Sequence, residues 1–146
     1  MADWKQNLLE DDARIGALVR EARRVAVLGI KTEAQADQAA FYVARYVADH
    51  GGEVIPVPVY YPEVKEILGR PVYRKLADVP GAIDIVDVFR KPSDIPTHLP
   101  DILAKRPRAA WFQLGIRNDA AAEELARAGI QVVQDRCLKV EWSRFR

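Results

Sequence analysis

One cysteine, Cys137, stands in 146 residues, so no intrachain disulfide can form and a cysteine-based zinc site would lack partners. That scarcity fits a reducing cytoplasm, where thiols stay free. Histidines are almost as few: His50 and His98 fall in no H-x-x-x-H or H-E-x-x-H spacing, and no metal ligands are expected. No apolar run approaches the roughly 18 residues that cross a bilayer. The opening Met1-Ala2-Asp3-Trp4-Lys5 lacks an apolar stretch after a basic start, so neither a membrane span nor a secretory leader is expected. An excess of one charge is also missing. With 22 Lys and Arg against 21 Asp and Glu, the formal charge is +1, and nothing global favours nucleic acid or an anionic membrane. Any anion site must be built from locally gathered cations.

What is present suits one soluble globular domain over residues 1–146. The 49% apolar fraction is enough for a core and excludes a disordered chain. Residues 1–23 read as an N-terminal helical extension packed on the body, because Leu8, Ile15, Leu18, Val19 and Ala22 share one helical face. Glu10, Asp11 and Asp12 near its start complement the helix dipole. Arg24-Val25-Ala26-Val27-Leu28-Gly29 is too short and too branched for a helix and reads as a buried strand. Ala36, Ala40, Val43, Ala44 and Val47 then recur at helical spacing, with Gly51-Gly52 as the stop.

A second strand is expected at 53–57, followed by a loop with Pro58, Tyr60, Tyr61 and Pro62, and a short helix at 63–68. The third strand is expected at 83–89, with Asp84 and Asp87 near its ends or paired. Residues 93–105 look helical, but Pro96 and Pro100 predict a short or irregular helix. A fourth strand at 109–115 precedes a helix capped by Asn118 and ended by Gly129. A fifth strand at 130–133 leads to Asp135-Arg136-Cys137 and a short tail. Strands alternating with helices imply an α/β fold: a Rossmann-like, doubly wound, about five-stranded parallel sheet with helices on both faces. Ligands of such sheets bind beyond the carboxyl ends of the strands.

Basic residues recur on that expected edge. Lys31 follows the first strand, Lys65 and Arg70 the second, Arg90 and Lys91 the third, Arg117 the fourth and Arg136 the fifth. Together with free N–H groups they would suit a ligand carrying several phosphates; the alternative is a set of solvated loop charges. Gly29 begins no full G-x-G-x-x-G. The second strand ends Val57-Pro58-Val59-Tyr60, without the acid that bonds a dinucleotide's ribose, which counts against NAD although Glu63 is near. Catalytic groups are sparse. His50 favours a helix end, His98 reads as a solvated surface residue, and Ser93 and Ser143 lack a nucleophile elbow. Cys137 reads as a small buried hydrophobe rather than a partner for a ligand thiol. Tyr60 and Tyr61 either flank an adenine or pantetheine group or simply shield the sheet.

With the strands placed, the chain resembles small stand-alone CoA-binding proteins, related to the CoA-binding domain of the succinyl-CoA synthetase α subunit. The stretches that carry the likeness include Val25-Ala26-Val27-Leu28-Gly29, Gly52-Glu53-Val54-Ile55-Pro56-Val57 and Ile67-Leu68-Gly69-Arg70-Pro71-Val72-Tyr73. Asp84-Ile85-Val86-Asp87-Val88-Phe89-Arg90, Trp111-Phe112-Gln113-Leu114-Gly115 and Asp135-Arg136-Cys137-Leu138-Lys139 complete it. The resemblance implies coenzyme A, or an acyl-CoA, lying across the top of the sheet. It nominates Gly29, Ile30, Lys31 and Thr32 for the phosphates, then Pro58, and then Val88, Phe89 and Arg90. The loop after Gly29 departs from the family's Ser-Pro type and places Glu33 near that phosphate position. Neither histidine matches the synthetase's phosphorylated histidine, so the expectation is a CoA-binding protein without its own catalytic site, a sensor or regulatory partner. An NAD(P)-binding regulator or small dehydrogenase, and a ligase subunit remnant needing a partner chain, are the alternatives.

Overall fold

In the computed structural model, residues 3–146 are described; Met1 and Ala2, the start of the stretch read for a leader, lie outside the described residues. Five parallel strands make the sheet: β1 (Arg24–Leu28), β2 (Glu53–Val57), β5 (Ile85–Val88), β6 (Ala109–Phe112) and β7 (Gln131–Val133). A two-stranded hairpin, β3 (Glu66–Ile67) and β4 (Arg70–Pro71), lies between β2 and β5 in the chain. The order across the sheet is β2-β1-β5-β6-β7, so the chain winds outward from β1 to β2, then reverses to the other side of β1. The expected Rossmann-like, doubly wound sheet is present.

Both faces are covered, which is why the strands read as unbroken apolar runs. On one face Val25, Val27, Ile85 and Trp111 pack with α1 (Asp12–Glu21), α2 (Ala39–Asp49) and α5 (Leu138–Phe145). On the other, Ala26, Leu28, Val86, Val88 and Phe112 meet α3 (Ile95–Lys105) and α4 (Asp119–Arg127). Among the described residues, no helix is long and apolar enough to cross a membrane.

Several expectations are corrected. The N-terminal helix begins only at Asp12, where the Asp11 carboxylate accepts the Arg14 N–H at 2.9 Å. Leu8 is not on it: Leu8 bridges to Val132 in parallel, and the Leu9 N–H donates to the Val132 carbonyl, so this segment covers the exposed edge of β7. The expected helix at 63–68 is instead the β3–β4 hairpin. Leu68 and Gly69 both adopt left-handed φ, 55° and 70°, the two-residue turn that matches strand twist. Helix α3 runs a regular 11 residues despite its prolines. Pro96 sits in the first turn, where no N–H bond is lost, and the carbonyl freed by Pro100 lies on an exposed face. The supposed tail after Cys137 is α5, which buries Leu138 and Trp142.

Asp84 stands at the strand's start, where its carboxylate accepts the N–H groups of Arg23 and Arg24 at 2.9 and 2.8 Å. Asp87 lies one residue from the carboxyl end of β5, near a strand end as expected, but it is not paired. It sits inside β5 between Val27 of β1 and Trp111 of β6, fully buried, and neither carboxyl oxygen has a hydrogen-bond partner. Burial raises its pKa well above the usual carboxylate range, so the group stays protonated where an unfolded aspartate would ionise. Unfolding therefore releases a proton, and this residue's contribution to stability falls as pH climbs from about 4 towards the folded pKa. Asp87→Asn should remove that loss. Urea denaturation should show the variant gaining on the wild type as pH rises from 4 to 8; a difference that stays constant over that span would contradict a buried, neutral Asp87.

Candidate functional site

Strand order reverses between β1 and β5, and the loops leaving their carboxyl ends part to opposite faces of the sheet. The crevice between them is where ligands of doubly wound sheets bind. Gly29 closes β1 with φ +86°, and a Cβ there would lie 2.4 Å from the Phe89 carbonyl oxygen and 3.2 Å from Cδ of Arg90. The ends of β1 and β5 are joined by the Phe89 N–H donating to the Leu28 carbonyl, while the Gly29 N–H donates to the Val57 carbonyl at the end of β2, both at 2.9 Å. The glycine is thus required by the close approach of two chain segments, whatever lies above them.

From Gly29 the chain leads towards α2. Ile30 is buried and anchors the turn; the Lys31 N–H donates to the Ala40 carbonyl, and its ammonium donates to the Gln38 side chain at the start of α2. The Thr32 hydroxyl accepts from the Ala34 N–H and donates to Gln35 Oε1 at 2.7 Å, capping a one-turn 3-10 helix, Glu33–Gln35. Glu33 opens this short helix. Its carboxylate accepts the Leu68 N–H at 2.9 Å and so tethers this loop to the β3–β4 turn.

The other wall comes from β2, β5 and α3. Pro58 is buried where β2 ends, and Val88 is a core side chain that meets the site only through its backbone. Phe89 is half-buried and Arg90 follows it. The Arg90 guanidinium donates from Nε to His98 Nε2 at 3.1 Å, lies over the exposed Tyr60 ring at 5.5 Å, and reaches an Asp94 carboxylate oxygen at 3.5 Å. Arg74 holds the Tyr60 loop in place, donating to the carbonyls of Tyr60, Tyr61 and Val64. His98 is therefore no solvated surface residue. It accepts a hydrogen bond from Arg90, and burial, with Arg90 beside it, holds its pKa below the ordinary imidazole value.

The nominated residues thus divide. Gly29, Phe89 and Arg90 touch one another, Lys31 and Thr32 form the facing loop, and Ile30, Pro58 and Val88 support them from inside. Three of the other strand-end cations are drawn elsewhere. Arg117 pairs with Asp119, and Arg136 is bound to Asp12, Glu141 and the Glu10 carbonyl. Arg70 lies beside Arg24 and Glu53, at the amino end of the sheet. His98 was missed because α3 was expected to be irregular. Gln113, buried just past β6, accepts the Leu138 N–H at 3.2 Å and so ties this strand end to α5.

A cleft of about 430 Å³ opens elsewhere, between the N-terminal segment, α4 and β7. Glu10, Asp119, Glu123 and Asp135 line it against only Arg117 and Arg136, a charge balance that opposes a polyphosphate. The β1–β5 crevice has the better chemistry for one: an ammonium, a guanidinium and an exposed aromatic ring about a sharply turned backbone.

Residues 23–143 match the family described as the CoA binding domain. An uncharacterized protein of Bacillus subtilis, YneT, is 32% identical over 88% of this chain and 91% of its own length. The structure of cell-free ID.343 from Thermus thermophilus is 39% identical and superposes with a TM-score of 0.85, covering 94% of this chain and 100% of that one. The dinucleotide forming acetyl-coenzyme A synthetase 1 of Ca. Korarchaeum cryptofilum shares the fold: it is 20% identical, with a TM-score of 0.64, over 80% of this chain and 27% of that one.

Gly29→Ala should destabilise the protein by about 1–3 kcal/mol, from left-handed strain plus the clash with Phe89. Chemical denaturation measures it; a loss below about 0.5 kcal/mol would mean the two strand ends are not locked as described.

Proposed function

The chain belongs to the CoA-binding domain family, and on that premise we propose that it binds coenzyme A or an acyl-CoA across the carboxyl ends of β1 and β5, without a catalytic site of its own. It serves as a sensor or regulatory partner whose output is the bound state. The observation that carries the reading is the placing of Arg90. Its stem borders Gly29 and its guanidinium lies between Tyr60 and His98, at the point where strand order reverses.

Coenzyme A would bring a diphosphate, a 3′-phosphate, an adenine and a flexible pantetheine arm ending in a thiol. Lys31 and Arg90 supply positive charge from opposite walls, and charge-assisted hydrogen bonds to phosphate are the strong kind. Tyr60, 62% exposed, offers a flat face for the adenine, already backed by a cation. Glu33, held by Leu68, keeps its carboxylate engaged away from the ligand. The absence of an acid in the Val57-Pro58-Val59-Tyr60 stretch favours CoA over NAD, whose ribose that acid would bond.

Calorimetry with CoA, acetyl-CoA, NADH and NADPH tests this. Saturable CoA binding is expected, weakened at least about tenfold by Arg90→Glu, the scale of one lost charge-assisted contact. Removing the ligand's 3′-phosphate should also weaken it. Tight NADH binding with no CoA binding would reverse the assignment.

A further inference from the structure

We propose that His98 is a positioning residue that makes polyphosphate binding at the β1–β5 crevice proton-linked, by holding Arg90 back at neutral pH and releasing it in acid. This rests on the CoA reading given above. The geometry is specific. Nε of Arg90 donates to Nε2 of His98, so that ring nitrogen must be unprotonated and the ring proton must sit on Nδ1. The Arg90 side chain is only 14% exposed in this arrangement, with Tyr60 and Asp94 as its other neighbours. The cation is thus committed to protein partners and turned away from free approach by a phosphate.

Protonating Nε2 places two N–H donors face to face and leaves two positive charges side by side. The hydrogen bond is lost, and Arg90 is free to leave the Tyr60–His98 slot. The same event adds a second cation at the wall of the crevice. Both effects favour a polyanion there. By linkage, a phosphate that neutralises Arg90 removes the repulsion that, together with burial, disfavours protonated His98, so binding takes up a proton.

The groups that bear on His98 are few. Arg90, from the end of β5, opposes its protonation, while Asp94 and Asp101, on its own helical segment, favour it. The short helix Leu76–Asp78, packed against α3, meets Asp101 through the N–H groups of Leu76 and Ala77. From the loop after β2 the neutral Tyr60 reaches the cluster through Arg90. Burial is the largest influence, and with Arg90 it holds His98 below the usual value in the free protein. The bound state has Arg90 compensated and should titrate higher. Each unit of difference corresponds to a tenfold change in affinity.

The test compares CoA affinity for the full chain at pH 7.5 and 5.5, in the wild type and in His98→Gln. Glutamine keeps a neutral acceptor near the Nε2 position but cannot take up the proton. Wild-type affinity should rise about fivefold more than the variant's on acidification, a difference that cancels titration of the ligand's own phosphates. Equal slopes would overturn the inference alone. Failure of the wild type to bind CoA at either pH would overturn the underlying reading and this one with it. Because the variant could fold poorly, the His98 ring is also titrated by NMR in the wild type. A pKa that rises on adding CoA supports the proposal, and one that is unmoved by saturating CoA overturns it.

Discussion

The carbonyl of Phe89 occupies the space where any residue but glycine at position 29 would carry a side chain. That contact joins the carboxyl ends of β1 and β5 at the one place where the sheet changes its direction of winding. Because the loop after β1 must leave towards α2 and the loop after β5 towards α3, the two walls of the crevice come from opposite faces of the sheet. The site is a consequence of topology first. In the proposed reading, side chains such as Lys31, Tyr60 and Arg90 then decide what it accepts.

Charge in this nearly neutral protein is distributed by commitment rather than by count. Arg136 and Arg144 bind Asp12 and Glu141, and Arg146 donates to the carbonyls of Val19 and Ala22, so the last helix is strapped to the first. Asp12 is exposed, whereas the Glu141 carboxylate at the centre of this cluster is buried. Arg136, the strand-end cation among these arginines, is thereby held by protein carboxylates. Arg90 differs from them because its partners are a neutral imidazole, an aromatic face and a long contact to Asp94. A phosphate competes more easily with those than with a close carboxylate.

The parallel sheet was readable in the sequence because strands covered on both faces carry uninterrupted branched apolar runs, and Arg24–Leu28 and Glu53–Val57 fall where those runs lie. Gly29 as a strand-end glycine, and the Asn118 cap that accepts the Ala121 N–H, were equally legible because they depend on local geometry. What escaped depends on tertiary partners. Nothing local announces that Leu68 shares a left-handed turn with Gly69, that Pro100 faces solvent, or that Asp87 ends up with no partner inside the sheet. The same holds at the site. Arg90 could be nominated from its position after β5, but its link to His98 exists only because α3 starts beneath it as a regular helix. Sequence position gathered seven cations on one edge; side-chain geometry ties Arg117 and Arg136 to carboxylates and sets Arg70 beside the amino ends of β1 and β2.

Backbone amide NMR during a CoA titration tests the central claim most directly, since it reports where on the sheet the ligand lies. The account predicts the largest shifts at Gly29, Ile30, Lys31, Thr32, Phe89 and Arg90, on both walls of the reversal point. Shifts concentrated instead around Leu8, Arg117 and Gln134, in the cleft beside β7, would contradict it.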